Sequence, residues 1–367
     1  MTANQVLVTG GTGFVASQVI KCFLEGDFFV TASVRNKKNK KKIEPLLSLC
    51  TKAAKPAERL QLVEADLLNY DGWEKAVQNC SLVIHVASPF PGSAPKDENE
   101  IIKPAVEGTL NVLKAAATND NIHKVVLTSS VSSISGGFQG GGPFTEDQWT
   151  NTGDSTIMAY VKSKTLAERA AWKFVEEQKE KVGRCFDLVT INPSFILGPT
   201  LCGTEFTSME PIKRIIERQM PLLPKLNFSV VDVRDVAKAH FIAATDDGLK
   251  NERFILHNEN IWMQQLAIIL EKEFKWQGYN VPTTVAPSGI VKLVGFFDKT
   301  IKNIIPMLEV ETYYDNSKMI NKLKLQPTPV DQTIIDMAYS MIESGFVKKT
   351  SKYRGIPPGS DINCAHL

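Results

Sequence analysis

The sequence predicts an α/β fold: a doubly wound parallel sheet with helices on both faces, followed by a smaller, mostly helical lobe. Two observations support this. Short apolar, β-branched runs alternate with helical stretches over the first half of the chain. Each run is nearly all apolar, as expected for a parallel strand buried on both faces. Beyond residue 193 the chain becomes rich in Pro, Phe and Met, and helical patterns dominate.

The predicted strands of the sheet cover residues 6–8, 29–34, 60–64, 82–85, 124–128 and 188–191, with one more at 253–257. Helical patterns cover residues 13–25, 70–79, 98–118 and 156–181. This alternation is typical of βαβ units. We predict a nucleotide-binding domain (1–193 and 226–258), a substrate-binding lobe (194–225 and 259–347) and a tail (348–367). The lobe is expected over the carboxyl ends of the strands, where open α/β sheets bind ligands.

A glycine-rich segment at residues 136–142 interrupts the alternation after the fifth strand. It holds five glycines. Two interpretations stay open: a mobile loop where a substrate enters, or a plain surface connection.

Composition excludes several classes of protein. Hydrophobic residues make up 43% and charged residues 22% of the 367 residues, and the net charge is +2. A core of ordinary size is therefore expected, and a nucleic-acid partner is not. No apolar run approaches the ~20 residues of a membrane helix, and no signal peptide is expected before the first strand.

The six cysteines form no CxxC pair and have no histidine at metal-ligand spacing. They predict reduced thiols in a cytoplasmic protein without a metal site. Cys364 lies where a prenylation motif would place it, but His366 fits that motif poorly. A plain tail that happens to contain a cysteine is the favoured interpretation.

A glycine-rich turn follows the first strand, and residues 9–16 read TGGTGFVA. Gly10 permits a tight turn, and Gly13 lets the backbone approach a pyrophosphate. The helix that follows offers unpaired N–H groups to an anion. A tight turn without a ligand is the alternative, which the strand–turn–helix context disfavours. We therefore predict a dinucleotide site that also involves Thr9, Phe14 and Val15.

The end of the second strand indicates which dinucleotide is bound. Arg35 stands where an NAD-preferring site would place an Asp or Glu, and a lysine-rich run that includes Lys42 follows. A guanidinium grips the 2′-phosphate of NADP through two hydrogen bonds, whereas a carboxylate would repel it. Most of these lysines are expected on a solvated helix start, so Arg35 is the specific signal for NADP(H).

The candidate catalytic residues are Tyr160 and Lys164, which share one helix face at a spacing of four. A nearby ammonium is expected to lower the pKa of the phenol, which is ~10 when unperturbed. The fifth strand ends in Ser129 and Ser130. Ser130 is predicted to polarise the substrate oxygen, with Ser129 as the alternative. Hydride would pass from a reduced nicotinamide to a carbonyl carbon while Tyr160 protonates the oxygen.

The glycine loop and the order Ser, Tyr, Lys resemble the extended short-chain dehydrogenases/reductases, a group within the NAD-dependent epimerase/dehydratase superfamily. The chain is similar to their dihydroflavonol reductase-like and aldehyde or methylglyoxal reductase branch from residue 6 to about residue 347. The resemblance implies a Rossmann-type fold, NADP(H) as cofactor and a small-molecule carbonyl substrate. It also implies roles for several residues in cofactor binding. These are Arg35 and Lys42 at the 2′-phosphate, Asp66 and Leu67 at the adenine, Val86, Ala87 and Ser88 beside the nicotinamide, and Pro193, Ser194, Phe195 and Ser208. Tyr160 and Lys164 are expected to contact the cofactor as well, with Lys164 at the ribose hydroxyls of the nicotinamide.

Departures from the family pattern narrow the function. Residues 157–161 read IMAYV where cinnamoyl-CoA reductases carry NWYCY, which disfavours that subgroup. Residues 136–142 do not resemble a flavonoid-binding segment. A general aldehyde or ketone reductase is therefore the favoured interpretation, and the physiological substrate stays open, as does the choice between a monomer and a homodimer.

Three other functions are compatible with the fold, but a feature of the sequence disfavours each of them. A nucleotide-sugar epimerase normally retains NAD, which Arg35 disfavours. A sugar-nucleotide dehydratase needs an acidic residue beside the catalytic serine. The residues that follow Ser130 here, Val131 and Ser132, are not acidic. A non-catalytic NADP sensor typically loses the catalytic pair, and both Tyr160 and Lys164 are present.

Overall fold

A computed structural model describes residues 4–49, 56–89, 97–136, 140–203, 206–358, 360 and 362. Cys364 lies outside the described residues. The strands are β1 Gln5–Val8, β2 Phe29–Val34, β3 Leu60–Glu64, β4 Leu82–His85, β5 Lys124–Thr128, β6 Gly141–Phe144, β7 Asp187–Pro193, β8 Phe195–Leu197, β9 Asn227–Asp232, β10 Glu252–Leu256, β11 Glu259–Trp262 and β12 Thr312–Tyr314.

The helices of the nucleotide-binding half alternate with these strands: α1 Phe14–Glu25, α2 Lys40–Leu47, α3 Pro56–Arg59, α4 Trp73–Val77, α5 Asn99–Ala117, α6 Ser132–Ser135, α7 Ala159–Val182 and α9 Val233–Thr245. The remaining helices are α8 Met209–Ile216, α10 Met263–Phe274, α11 Ser288–Val294, α12 Lys299–Ile304, α13 Ser317–Asn321 and α14 Val330–Glu343, with 3-10 turns at Lys275–Gln277 and Ile305–Met307.

Within the described residues, the main sheet has seven parallel strands in the order β10-β7-β5-β4-β1-β2-β3. The order reverses direction between β1 and β4, so the doubly wound prediction is confirmed. Strands β1 and β4 are almost wholly buried, because helices cover both faces of the sheet. At this reversal the loops after the two strands diverge, which opens a crevice at their carboxyl ends.

The helices pack the two faces of the sheet into separate apolar clusters. Helices α1 and α9 cover one face, where Phe23 and Phe254 are fully buried. Helices α4, α5 and α7 cover the other, where Trp73 and Leu113 are fully buried. The long α7 carries Tyr160 in its first turn. Packing of α7 against the sheet sets the position of that turn relative to the end of β5.

The lobe contains more strand than the sequence predicts. Strands β8, β9 and β11 form a three-stranded sheet in the order β11-β9-β8. The prediction of a mostly helical region missed this sheet because its strands are short and only partly buried. Helices α8, α10 and α14 pack around it and enclose a second core.

Part of the glycine-rich segment is also strand, which differs from both predicted interpretations. Gly141 pairs with Thr312 and Phe144 pairs with Tyr314, so β6 and β12 form a small parallel sheet. Residues 137–139 lie outside the described residues. The pairing anchors the end of the segment to a strand that comes from the lobe.

The predicted tail after residue 347 lies, in its described part, against the lobe. The Tyr353 hydroxyl donates to Glu343 at 2.9 Å, and the Arg354 N–H donates to Gln277 Oε1 at 3.2 Å. Ile362 is buried in the lobe core. The described segment therefore packs as part of the lobe.

Candidate active site

The glycine turn lies between β1 and α1, and its shape depends on missing side chains. Gly10 has a φ of +71°, in the left-handed region, and a Cβ there would lie 3.0 Å from the Cβ of Ala87. A Cβ on Gly13 would lie 3.1 Å from the carbonyl oxygen of Gly10, which accepts a hydrogen bond from the Gly13 N–H at 2.8 Å. The turn therefore brings bare backbone to the start of α1.

The N-terminus of α1 has no side-chain cap within the described residues. Gly13 is its N-cap, and Phe14 and Val15 are its first two residues. An uncapped N-terminus offers N–H donors and the positive end of the helix dipole to an anion. The Phe14 ring stacks on Phe206 of the lobe, with ring centroids 3.6 Å apart. The lobe thus contacts the residue that directly follows the glycine turn.

Thr9 has a buried, internal role. Its hydroxyl oxygen lies 2.9 Å from His85 Nδ1 and accepts a hydrogen bond from the Ala87 N–H at 2.9 Å. Burial lowers the pKa of His85 to about 3, helped by the nearby charge of Lys164. The neutral ring and the hydroxyl hold the predicted nicotinamide wall, Val86, Ala87 and Ser88, against the glycine turn.

The predicted adenosine-binding residues follow β2 and β3 at the same edge of the sheet. Arg35 directly follows β2 and is exposed, and Lys42 is exposed in the first turn of α2. Asp66 follows β3, and its carboxylate accepts a hydrogen bond from the Leu68 N–H at 2.9 Å. The carbonyl of Leu67 accepts one from Asn111 Nδ2 at 2.9 Å. Two cationic side chains therefore remain exposed beside the turn.

The structure separates the two candidate serines. The Ser130 hydroxyl donates to the Ser132 hydroxyl at 3.1 Å and accepts from the Ser132 N–H at 3.1 Å. It also interacts with the Tyr160 side chain, where it acts to lower the pKa of the phenol. The Ser129 hydroxyl turns away and donates to Glu168 Oε2 at 2.5 Å. A one-residue step along a strand reverses the direction of the side chain, which explains the difference. Ser130 is therefore the serine that shares a cleft with Tyr160.

The pKa of the Tyr160 phenol is shifted in the direction opposite to the one predicted from the sequence. Burial raises the pKa of Tyr160 to about 12, although the hydrogen bond from Ser130 acts to lower it. Burial also lowers the pKa of Lys164 to about 8, and the charge of Glu168 opposes that change. Burial is the dominant cause at Tyr160, and Lys164 is not among the groups that lower the pKa of its phenol. The expected lowering of the Tyr160 pKa by Lys164 is wrong for this state of the protein.

Lys164 lines a small cavity between the sheet and α7. The cavity lies at the carboxyl ends of β4 and β5, between the predicted nicotinamide wall and α7. Its lining residues are Ala87, Ser88, Thr109, Leu127, Thr128, Ser129, Lys164, Ala167 and Glu168.

The residues after β7 complete the wall of the cleft. Ser194 is buried, and its hydroxyl has no hydrogen-bond partner in the described part of the chain. It follows Pro193, whose carbonyl accepts from the N–H of Val131 at 3.1 Å. Phe195 stacks on Phe228 of the lobe at 5.2 Å between ring centroids. Ser208 has a structural contact, since its hydroxyl donates to the carbonyl of residue 196 at 2.6 Å.

These features fit a dinucleotide phosphate. The uncapped α1 accommodates a pyrophosphate, and the exposed Arg35 and Lys42 accommodate a further phosphate. A buried hydroxyl without a partner costs ~1–3 kcal/mol, so the Ser194 hydroxyl gains most from a ligand that hydrogen-bonds to it. The donors therefore lie along one edge of the sheet from the end of β2 to the end of β7.

Sequence reasoning missed the residues that support the catalytic side chains. Glu168 and Arg253 form a buried ion pair directly behind Ser129, with Arg253 Nε 2.7 Å from Glu168 Oε1. The spacing of four residues between Lys164 and Glu168 puts both on one helix face, but the same spacing is also ordinary on a solvated face and did not distinguish Glu168. Phe206 had no sequence signal, since its contact with Phe14 depends on how the lobe folds back.

The described residues contain no group of three or more His, Cys, Asp or Glu side chains placed to hold a metal ion. None of their helices combines the length and apolar character needed to cross a membrane.

Comparison with known proteins gives consistent matches over most of the chain. A Medicago truncatula protein named cinnamoyl-CoA reductase is 39% identical over 351 residues, covering 94% of this chain and 97% of the relative. A tetraketide alpha-pyrone reductase of Arabidopsis thaliana is 32% identical, covering 94% and 97%. Among solved structures, Gre2 of Candida albicans in complex with NADPH has a TM-score of 0.74 at 30% identity, covering 93% of this chain and 99% of that one.

A family model described as NAD dependent epimerase/dehydratase matches residues 6–256. This range includes the glycine turn, the end of β5 and the first turn of α7. The match covers more than half of the chain and agrees with the observed sheet order. The chain therefore belongs to the NAD-dependent epimerase/dehydratase family.

Proposed function

We propose that this protein reduces a small aldehyde or ketone to the alcohol with NADPH, and that Tyr160 donates the proton. The observation that supports this most directly is the interaction between Ser130, which follows β5, and Tyr160, which shares a face of α7 with Lys164. The relatives' names support the same class of reaction. Cinnamoyl-CoA reductase, tetraketide alpha-pyrone reductase and a yeast methylglyoxal/isovaleraldehyde reductase, which is 25% identical, are all named as reductases.

The protonation state of Tyr160 suits the reductive direction. With a pKa of about 12, its phenol holds its proton at neutral pH and can donate it. Bound NADPH supplies the hydride. Ser130 donates a hydrogen bond to the oxygen on which negative charge develops, and this stabilises the transition state. Protonated Lys164 then stabilises the phenolate that remains after the transfer.

The cationic end of the crevice supports NADPH over NADH. Arg35 and Lys42 are both exposed beside the adenosine end of the predicted site. A 2′-phosphate would be held by charge-assisted hydrogen bonds there. The Gre2 structures of Candida albicans and yeast were both solved with NADPH, which agrees with this assignment.

The test is NADPH oxidation with a panel of small aldehydes, ketones, dihydroflavonols and hydroxycinnamoyl-CoA thioesters, for wild type beside Tyr160→Phe. We expect turnover with one carbonyl class and a loss of at least ~100-fold in the variant, since general acids contribute about that much. NADPH binding, measured by fluorescence titration, should be kept in Tyr160→Phe. A variant that turns over normally would refute the role of Tyr160.

Two alternatives are separated by the same assay. Tight NADPH binding without turnover of any carbonyl would favour a sensor. Interconversion of UDP-sugars without net change of the cofactor would favour an epimerase. Both outcomes would overturn the reductase proposal.

A further inference from the structure

Glu168 is a fully buried carboxylate one helical turn beyond Lys164. The side chain is inaccessible to solvent, and it lies below the floor of the cleft between α7 and the ends of β5 and β7. A buried carboxylate is costly unless it is paired and hydrogen-bonded. Its oxygens accept hydrogen bonds from Ser129 and Ser133 (both 2.5 Å), Asn192 (2.9 Å), Thr190 (3.1 Å), Trp172 (3.3 Å) and Arg253 (2.7 Å).

Arg253 holds this carboxylate in its ionised form. The guanidinium donates to the carbonyls of residues 146 and 148, at 2.5 and 2.7 Å, and lies 3.8 Å above the Trp149 ring. Burial acts to raise the pKa of Glu168, but the charge and hydrogen bonds of Arg253 and the serine hydroxyls outweigh it, so that the pKa lies below its usual range. A negative charge is therefore fixed next to the catalytic helix.

Lys164 and Glu168 both line the small cavity behind the nicotinamide wall. The titratable groups that face Lys164 are Tyr160 and Glu168 on its own helix and His85 at the end of β4. His85 is neutral, because burial and the charge of Lys164 lower its pKa to about 3. Burial lowers the pKa of Lys164 to about 8, and the charge of Glu168 opposes this.

The same carboxylate also reaches the catalytic serine. The Ser133 hydroxyl lies 2.5 Å from Glu168 and 2.8 Å from the carbonyl of Ser130. Asn192 Nδ2 donates to Glu168 at 2.9 Å and contacts that same carbonyl at 3.3 Å. Through Ser133 and Asn192, Glu168 is connected to the backbone of Ser130. Its charge also acts on Lys164, which lines the same small cavity.

We propose that Glu168, fixed by Arg253, is a positioning residue that keeps Lys164 protonated and orients the turn that presents Ser130. The inference rests on the reductase function proposed above. The competing explanation is that the pair only stabilises the fold. The two differ in one respect, because a purely structural pair would affect unfolding without moving the pH at which activity is lost.

The experiment compares the pH profiles of kcat and kcat/KM for wild type, Glu168→Gln and Asp336→Asn. Gln keeps the shape of Glu168 but removes its charge. Asp336 is the matched control, because it is equally buried and ion-paired, with Arg234 at 2.6 Å, but lies on α14 in the lobe. Wild-type activity should decline at alkaline pH as Lys164 loses its proton.

In Glu168→Gln we expect this alkaline decline to begin about one pH unit lower, which corresponds to about tenfold lower kcat on the alkaline side of the profile. Asp336→Asn should lose stability and keep the wild-type profile. An unshifted profile in Glu168→Gln would overturn the inference. Absence of wild-type turnover on any carbonyl would instead point to failure of the proposed function.

A second variant covers the case in which Glu168→Gln leaves Arg253 unpaired and does not fold. The double variant Glu168→Gln/Arg253→Gln buries no unpaired charge, so it is better tolerated. It should show the same acid shift. Isotope-labelled reductive methylation followed by NMR titration gives the pKa of Lys164 without turnover, with Lys164→Arg to assign the signal. An equal Lys164 pKa in wild type and the double variant would refute the proposal.

Discussion

His85 makes the fold sensitive to acid at the wall of the cofactor site. Its side chain is 1% exposed, and its Nδ1 lies 2.9 Å from the Thr9 hydroxyl. That hydroxyl already accepts the N–H of Ala87, so its hydrogen is available to donate to an unprotonated Nδ1. Protonation of the ring would break this contact and place a charge in the core. We therefore predict that His85→Asn, whose amide oxygen can accept the same hydrogen bond, weakens the acid dependence of stability.

The magnitude follows from the pKa values of the folded and unfolded states. Burial lowers the pKa of His85 from 6.5 to about 3. The unfolded chain therefore takes up a proton as the pH falls through 6.5, and the folded protein does not until about 3. The stability is fully present above pH 6.5 and is lost as the pH falls towards 3. At ~1.4 kcal/mol per pH unit, the loss at about pH 5 is ~2 kcal/mol.

The assay is urea unfolding of wild type and His85→Asn at about pH 8 and about pH 5, where the difference in the free energy of unfolding should be ~2 kcal/mol smaller in the variant. His123 is exposed at the start of β5, so His123→Asn is the control and should keep the wild-type difference. Equal acid losses in wild type and His85→Asn would refute the assignment of His85 as a neutral, buried acceptor.

Three further predictions concern the cofactor and the serines. Gly10→Ala should cost ~1–2 kcal/mol for its left-handed backbone and displace Ala87, so both the free energy of unfolding and the affinity for NADPH should fall. An unchanged affinity would contradict the close approach of the turn. Ser130→Ala should lower kcat by ~100-fold or more with little loss of stability, whereas Ser129→Ala, which leaves a buried carboxylate without one donor, should lose ~1–3 kcal/mol on unfolding. A loss of kcat in Ser129→Ala and a loss of stability in Ser130→Ala, in paired kinetic and unfolding assays, would show that Ser129 is the serine that acts on the substrate. Arg35→Asp should weaken NADPH binding by at least ~10-fold, because each charge-assisted hydrogen bond contributes ~1.5–3 kcal/mol, and NADH binding should change less in parallel fluorescence titrations. Equal losses for both cofactors would show that Arg35 does not contact the 2′-phosphate.

The parallel sheet could be predicted from the sequence because both of its faces are covered. A strand such as β4, buried at every position, must be an uninterrupted apolar run, and short uninterrupted runs are easy to recognise. The predicted bounds of β2 through β5 match the observed ones, including those of β3, which lies at the edge of the sheet and has exposed positions. The small sheet of the lobe has no such pattern. Strand β9 begins with Asn227 and is only half-buried over its first positions, so it resembles a loop.

The sequence could indicate where the candidate site residues lie in the fold, but not their electrostatics. Order along the chain and the spacing of Tyr160 and Lys164 place both side chains at the carboxyl edge of the sheet, which requires no knowledge of packing. The pKa of Lys164 depends instead on what surrounds it, and burial lowers that value to about 8. Only the folded chain shows how much solvent the helix loses against β5 and β7.

Glu168 shows why the electrostatics of the site could not be predicted from the sequence. In the sequence, a Glu four residues after a Lys is the ordinary pattern of a solvated helix face. Its burial depends on Arg253, which lies 85 residues later on β10 and supplies the charge that makes a buried carboxylate tolerable. Without that partner the carboxylate would take up a proton and could not favour the charged form of Lys164. The positioning role that we propose therefore depends on Glu168 and Arg253 together, and only the folded chain brings these two residues into contact.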